Sequence, residues 1–104
     1  MSRITIQRVR LDPTGRLRVR PPASSEYPFI HRDASSVRWD GRSHELHVLE
    51  AAGLDALAEF QQIVRSVHRE YGDALMLSSS TEYADISSEL VAAMTRSGGS
   101  PGST

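Results

Sequence analysis

The sequence predicts an α+β domain: an antiparallel sheet of about four to five strands with two helices packed on one face. Three observations carry that expectation. Apolar residues between Ile4 and Leu49 recur at a period near two and are interrupted by turn chemistry. From Leu54 the period changes to about 3.6. No repeated strand-helix-strand rhythm runs through the chain, so the strands come first and the helices mainly after them. At 104 residues, 38% hydrophobic and 24% charged, the chain holds enough apolar matter for one core. The expected organisation is a single domain over 1–96 and a disordered tail over 97–104, where Ser97 to Thr104 offers no residue that builds a core.

The elements follow in order. In Ile4 to Leu11, Ile4 and Ile6 share one phase and Val9 and Leu11 the other, which predicts a strand with a bulge or strong twist near Gln7. Asp12-Pro13-Thr14-Gly15 is a turn, because Pro presets φ and Gly tolerates positive φ, so Arg16 to Arg20 returns as a hairpin partner. Leu17 and Val19 then face the core, while Arg16, Arg18 and Arg20 share the other face. Pro21-Pro22 ends that strand. A second hairpin, Ser36 to Asp40 and His44 to Leu49, turns at Asp40-Gly41-Arg42-Ser43. Leu54, Leu57, Phe60, Ile63, Val64, Val67 and Tyr71 line one face of a helix stopped by Gly72. Ala74 to Leu77 is a fifth strand, and Ile86, Leu90, Val91 and Met94 are the inner face of a second helix starting between Asp85 and Ser87.

The net charge of −1 hides a polarity along the chain. Residues 1–42 hold nine arginines and four acids, leaving +5; residues 43–104 hold three arginines and nine acids, leaving −6. Lysine is absent, so each basic side chain is a planar guanidinium suited to carboxylate or phosphate. The absence of cysteine removes disulfides, thiolate nucleophiles and cysteine-ligated metal centres, and fits a reducing compartment. With no apolar signal region and nothing near the ~20 apolar residues of a membrane span, a cytoplasmic location is expected.

No catalytic, cofactor-binding or metal-binding residues are assigned, and the expectation is a protein that is not an enzyme. His44 and His47 stand three apart, a spacing that puts them on opposite faces of a strand. The serines lack a nucleophile elbow, and Gly15, Gly41, Gly53 and Gly72 are isolated turn or cap residues rather than a phosphate loop. The pairs Glu45 with Glu50 and Asp55 with Glu59 are candidates for general acid and base, but the latter, four apart on a helix, reads as solvated carboxylates. A small-ligand or enzymatic alternative needs a pocket holding a titratable group such as His31 or His68.

The strongest functional feature is a set of arginines on the first hairpin: Arg8 and Arg10 beside Arg16, Arg18 and Arg20. They suit nucleic-acid phosphates, an acidic protein surface, or the chain's own acids. Against nucleic acid, Trp39, Phe29 and Phe60 are expected in the core rather than free to stack on bases.

Tyr27-Pro28-Phe29-Ile30-His31-Arg32-Asp33-Ala34 and Val37-Arg38-Trp39-Asp40 resemble small bacterial proteins found as integron gene cassette products and as immunity proteins of contact-dependent growth inhibition systems. Gly15 to Pro21, Phe60 to Val64, Glu70-Tyr71-Gly72 and Thr81 to Ile86 extend the resemblance over most of residues 4–94. The chain departs from the pattern at His31, where tyrosine is usual, at Tyr83, in place of tryptophan, and at Leu57-Ala58, where a tryptophan-containing segment is usual. The resemblance implies a compact α+β domain whose studied relatives bind and neutralise a toxin domain without catalysis. It supplies no active-site residues. The resulting expectation is a non-enzymatic protein-binding module, with Asp55, Glu59, Glu82 and Asp85 as the acids that meet a basic toxin site. Nucleic-acid binding through the arginines is the alternative, and the +5 and −6 segments also permit association between copies.

Overall fold

The computed structural model describes residues 2–33, 36–49 and 54–97. Glu50, Gly53 and the expected tail beyond Ser97 lie outside the described residues. Among the described residues seven strands form, β1 (Ser2–Thr5), β2 (Arg8–Leu11), β3 (Leu17–Arg20), β4 (Val37–Asp40), β5 (Glu45–Val48), β6 (Asp73–Met76) and β7 (Glu82–Ala84), with helices α1 (Ala56–Tyr71) and α2 (Ser88–Ser97). The α+β class and the two helices are as expected. Instead of one antiparallel sheet there is a mixed five-stranded sheet in the order β4-β5-β3-β2-β7 and a separate parallel pair, β1 with β6.

The phase change near Gln7 marks the place where the chain passes from one sheet to the other. Ile6 N–H still bonds Met76 O in the small sheet (2.8 Å), whereas Gln7 N–H bonds Arg20 O in the large one (2.8 Å). After α1 the chain retraces this path, with β6 pairing parallel to β1 and β7 parallel to β2. Such parallel neighbours need a long crossover, which the intervening hairpins and helix supply. Thr81 ties the two tracks together. It is buried, its Oγ1 donates to Ile6 O (2.7 Å) and accepts from Ser78 N–H (3.1 Å).

Both hairpins form. In the first, Arg8, Val9, Arg10 and Leu11 pair with Arg20, Val19, Arg18 and Leu17. The Asp12 carboxylate accepts from the N–H groups of Thr14 and Arg16, and Gly15 takes φ 83°, the left-handed conformation that closes a three-residue loop. In the second, the loop is longer than an Asp-Gly turn requires. Asp40 pairs with Glu45 across four residues, and the left-handed position is His44 (φ 59°) rather than Gly41.

Helix α1 starts where Asp55 Oδ1 accepts from Ala58 N–H (2.8 Å) and stops at Gly72 in the left-handed region. Its buried side carries Phe60, Ile63 and Val67 against Val19, Leu46 and Val48 of the sheet. Helix α2, begun by Ser87 Oγ accepting from Leu90 N–H, packs on α1 and puts Met94 in the core. The connection after β3, residues 21–33, is held by Tyr27, buried edge-on to Tyr71 (centroids 4.8 Å) and Trp39 (5.9 Å); the Tyr27 hydroxyl donates to Asp73. Ile30 joins the core, and Asp33 takes a two-pronged bond from Arg69 of α1. Phe29, expected inside, is half exposed and lies under the Arg32 guanidinium.

Thr81→Val keeps the volume but strands Ile6 O and Ser78 N–H; urea unfolding is expected to show a loss of about 1–3 kcal/mol.

Candidate binding surface on the open face of the sheet

Alternation along the strands sends Val9, Leu17, Val19, Val37, Leu46 and Val48 toward α1. The opposite face is therefore polar: Arg8 and Arg10 on β2, Arg18 and Arg20 on β3, Glu45 and His47 on β5, Arg38 and Asp40 on β4. The registers bring Arg10 opposite Arg18 and Arg8 opposite Arg20. Like charges facing each other across strands destabilise a sheet unless acids separate them.

For Arg10 and Arg18 acids do. Arg10 Nε and Nη2 donate to Glu45 Oε2 (2.7 Å) and Oε1 (2.9 Å), a bidentate pair that reaches across β3. Arg18 bridges Asp12 (3.2 Å) and Asp40 (3.1 Å) and stands 3.7 Å from the same Glu45. Burial alone pushes the Glu45 carboxyl upward, but hydrogen bonds from Arg10 and Ser43 and the two guanidinium charges outweigh it and leave it below the ordinary range. Asp12 follows the same balance: burial raises it, while bonds from Thr14, Arg16 and Arg18 bring it down to about 2. Asp40 is lowered too, the Arg42 N–H and Arg18 exceeding the burial effect. Beside them burial, helped by the Arg18 charge, holds His47 below the usual imidazole range.

Arg8 and Arg20 have no carboxylate partner among the described residues. Arg20 Nη2 donates to Ser43 O (3.1 Å), which aims the guanidinium along the sheet. A groove of about 350 Å³ opens there, lined by Gln7, Arg20, Ala23 and His44. His44 is positioned by its edge-on contact with Trp39 (4.8 Å) and by Nε2 against Pro22 O (3.0 Å).

The expected site residues do not all reach this face. Arg16 leaves the group: its Nη1 is buried, and its charge acts on Glu59 of α1. Glu59 is itself enclosed at 2% exposure, with Oε2 accepting from Leu17 N–H (3.3 Å), so it cannot meet a partner as an exposed acid would. Its place in the first turn of α1 points it at the end of β3, and burial raises its pKa. Asp55 is exposed but serves as the α1 cap. Glu82 and Asp85 are exposed; Glu82 stands beside Arg8 on β7, and Asp85 lines a second groove with Arg10, Leu11, Asp12, Pro13 and Gly15. His31 and His68 line neither groove, and the groove histidine is His44. Sequence reasoning missed Asp12, Asp40 and Glu45 as the arginines' partners. The alternation of Arg38-Trp39-Asp40 and Glu45-Leu46-His47 carried that signal.

Residues 4–81 match the family described as Integron Cassette Protein Hfx_Cass5. A solved structure of a protein with the same description, from the mobile metagenome of the North West Arm Sewage Outfall, is similar at 29% identity, with 91% of this chain and 94% of that one covered and a TM-score of 0.47. No curated protein matches.

Two outcomes are expected from the carboxylates. Glu45→Gln leaves Arg10 and Arg18 underpaired and costs about 2 kcal/mol in urea unfolding, below the full price of a buried pair because both guanidinium groups keep some solvent. Because Glu45, Asp12 and Asp40 titrate lower when folded, their stabilisation is complete above about pH 4.5 and is lost as the pH falls toward 2. Glu59 has the opposite sign. Its folded pKa is raised, so its contribution is present below about pH 4 and is lost as the pH rises. Glu59→Gln should therefore be more stable than the parent at pH 7, and the stabilities of the two proteins should converge as the pH falls to about 4.

Proposed function

The chain belongs to the Hfx_Cass5 integron cassette protein family, and from that premise we propose that it is a non-enzymatic protein-binding module whose contact surface is the open face of the sheet. The observation that carries the reading is the Arg8 and Arg20 pair: two opposed guanidinium groups, neither in an ion pair with a carboxylate among the described residues although Glu82 adjoins Arg8 in the ladder, beside a network in which Arg10 and Arg18 are each matched to carboxylates. A like-charge pair without ion pairs of its own costs folding stability, and an acidic partner surface recovers it on binding. The neighbouring ion pairs fix their side chains before a partner arrives, which lowers the ordering cost of association.

Catalysis fits this face poorly, because its acids accept from arginines and are held in the charged state rather than poised near neutral pH. Phosphate binding fits it less well than protein binding does, since Arg10 and Arg18 already hold carboxylates. The finer form of the proposal is an immunity-type inhibitor that works in the cytoplasm by covering a toxin domain, as the resembled immunity proteins do.

The test is affinity capture of the tagged chain from its host after nuclease treatment, in parallel with Arg8→Glu. Arg8 makes no ion pair within the described residues, so this variant keeps the parent's fold. A stoichiometric protein held by the parent and weakened about tenfold or more by Arg8→Glu is the expected outcome. Loss of all bound material on nuclease treatment, or a partner indifferent to Arg8→Glu, contradicts it.

A further inference from the structure

We infer that the groove between Gln7, Arg20, Ala23 and His44 is a carboxylate-binding site, and that it takes an acidic side chain of the partner protein. The bearer of the carboxylate rests on the protein-binding reading; the site itself does not. Arg20 spends one Nη2 hydrogen on Ser43 O, and its second Nη2 hydrogen together with Nε–H or Nη1–H remains to meet the two oxygens of one carboxylate. Arg8 stands opposite on β2 and adds a second positive charge without a carboxylate partner. Gln7 has both backbone groups engaged, its N–H with Arg20 O and its O with Glu82 N–H, so its side-chain amide is the donor it offers at the rim.

His44 gives the independent observation. It occupies the left-handed region at φ 59°, which a β-carbon disfavours and which glycine or asparagine fills with less strain. The loop contains Gly41 but does not place it there, so the strained position carries an imidazole whose Nε2 faces Pro22 O. A carbonyl only accepts, so Nε2–H donates to Pro22 O and fixes the ring at the edge of the groove. Glu45 next to Arg20 and Glu82 next to Arg8 place negative charge near the groove. That environment favours a singly charged carboxylate over a doubly charged phosphate.

The experiment is a ¹⁵N-resolved NMR titration of the full chain at constant ionic strength with three probes: N-acetyl-glutamate N-methylamide, a blocked peptide with two glutamates, and inorganic phosphate. Saturable shifts centred on Gln7, Arg20, Ala23 and His44, with the peptide binding more tightly than the single glutamate, are expected. Arg20→Gln should weaken both about tenfold. Ala23→Glu, a change on an exposed loop residue that sets a carboxylate in the groove, should abolish the response while leaving the rest of the spectrum in place. Phosphate binding more tightly than glutamate, shifts that never saturate, or titrations unchanged by both variants overturn the inference. A partner captured through Arg8 yet unaffected by Ala23→Glu overturns it too and leaves the protein-binding reading standing. Saturable glutamate binding without any captured protein supports the site and contradicts that reading instead.

Discussion

The carboxylate of Glu45 is the constraint on which the open face depends. It lies on β5, 4% exposed, beneath guanidinium groups that come from two other strands. A lone buried carboxylate would protonate or drag water inward. Here Arg10 closes on it with two charge-assisted bonds, and Arg18 stands near enough to share it. The arrangement joins β5 to β2 across β3 by side chains as well as by backbone. It also decides which arginines remain for other work. Once Asp12, Asp40 and Glu45 have taken Arg10 and Arg18, Arg8 and Arg20 are left on this face without an ion pair among the described residues.

The charge polarity along the chain is thereby folded away. Arg10 from the basic part pairs with Glu45 from the acidic part, and Arg69 from the acidic part pairs with Asp33 from the basic one. The segment that carries the family resemblance is chiefly architectural. Tyr27 and Ile30 enter the core, Asp33 grips α1, and Val37 and Trp39 begin the second hairpin. That division is physically sensible for a binding module: the residues that hold the connection in place lie on the helix side, and the polar side of the sheet is left to vary its charges.

Much of the fold was legible because its signals are local. The Asp12 to Gly15 turn, the 3.6 period of α1 with its Gly72 stop, and the phase change at Gln7 each rest on a few adjacent residues. The parallel pairings were not legible. Glu82-Tyr83-Ala84 is too short to show a period, and its partner lies more than seventy residues earlier. The second turn was placed at Asp40 to Ser43 by its Asp-Gly, and the loop runs one residue further, with His44 rather than the glycine in the left-handed position. At the candidate site, Arg8, Arg10, Arg18 and Arg20 were correctly placed together by alternation. Arg16 was not, since it belongs to the loop before β3 and turns toward Glu59. Glu59 misled for a related reason: four residues after Asp55 it reads as solvated, and only the packing of α1 on β3 encloses it.

The central claim is that carboxylates occupy Arg10 and Arg18 and leave Arg8 to a partner. Guanidinium NMR tests it directly, through the exchange rates of the individual arginine Nε–H groups with water near neutral pH. The account predicts slow exchange for Arg10 and Arg18, whose Nε–H groups are held by Glu45 and Asp12, and fast exchange for Arg8. Equal, rapid exchange at all three would contradict it, because the open face would then be a plain arginine surface with no internal pairing to set Arg8 apart.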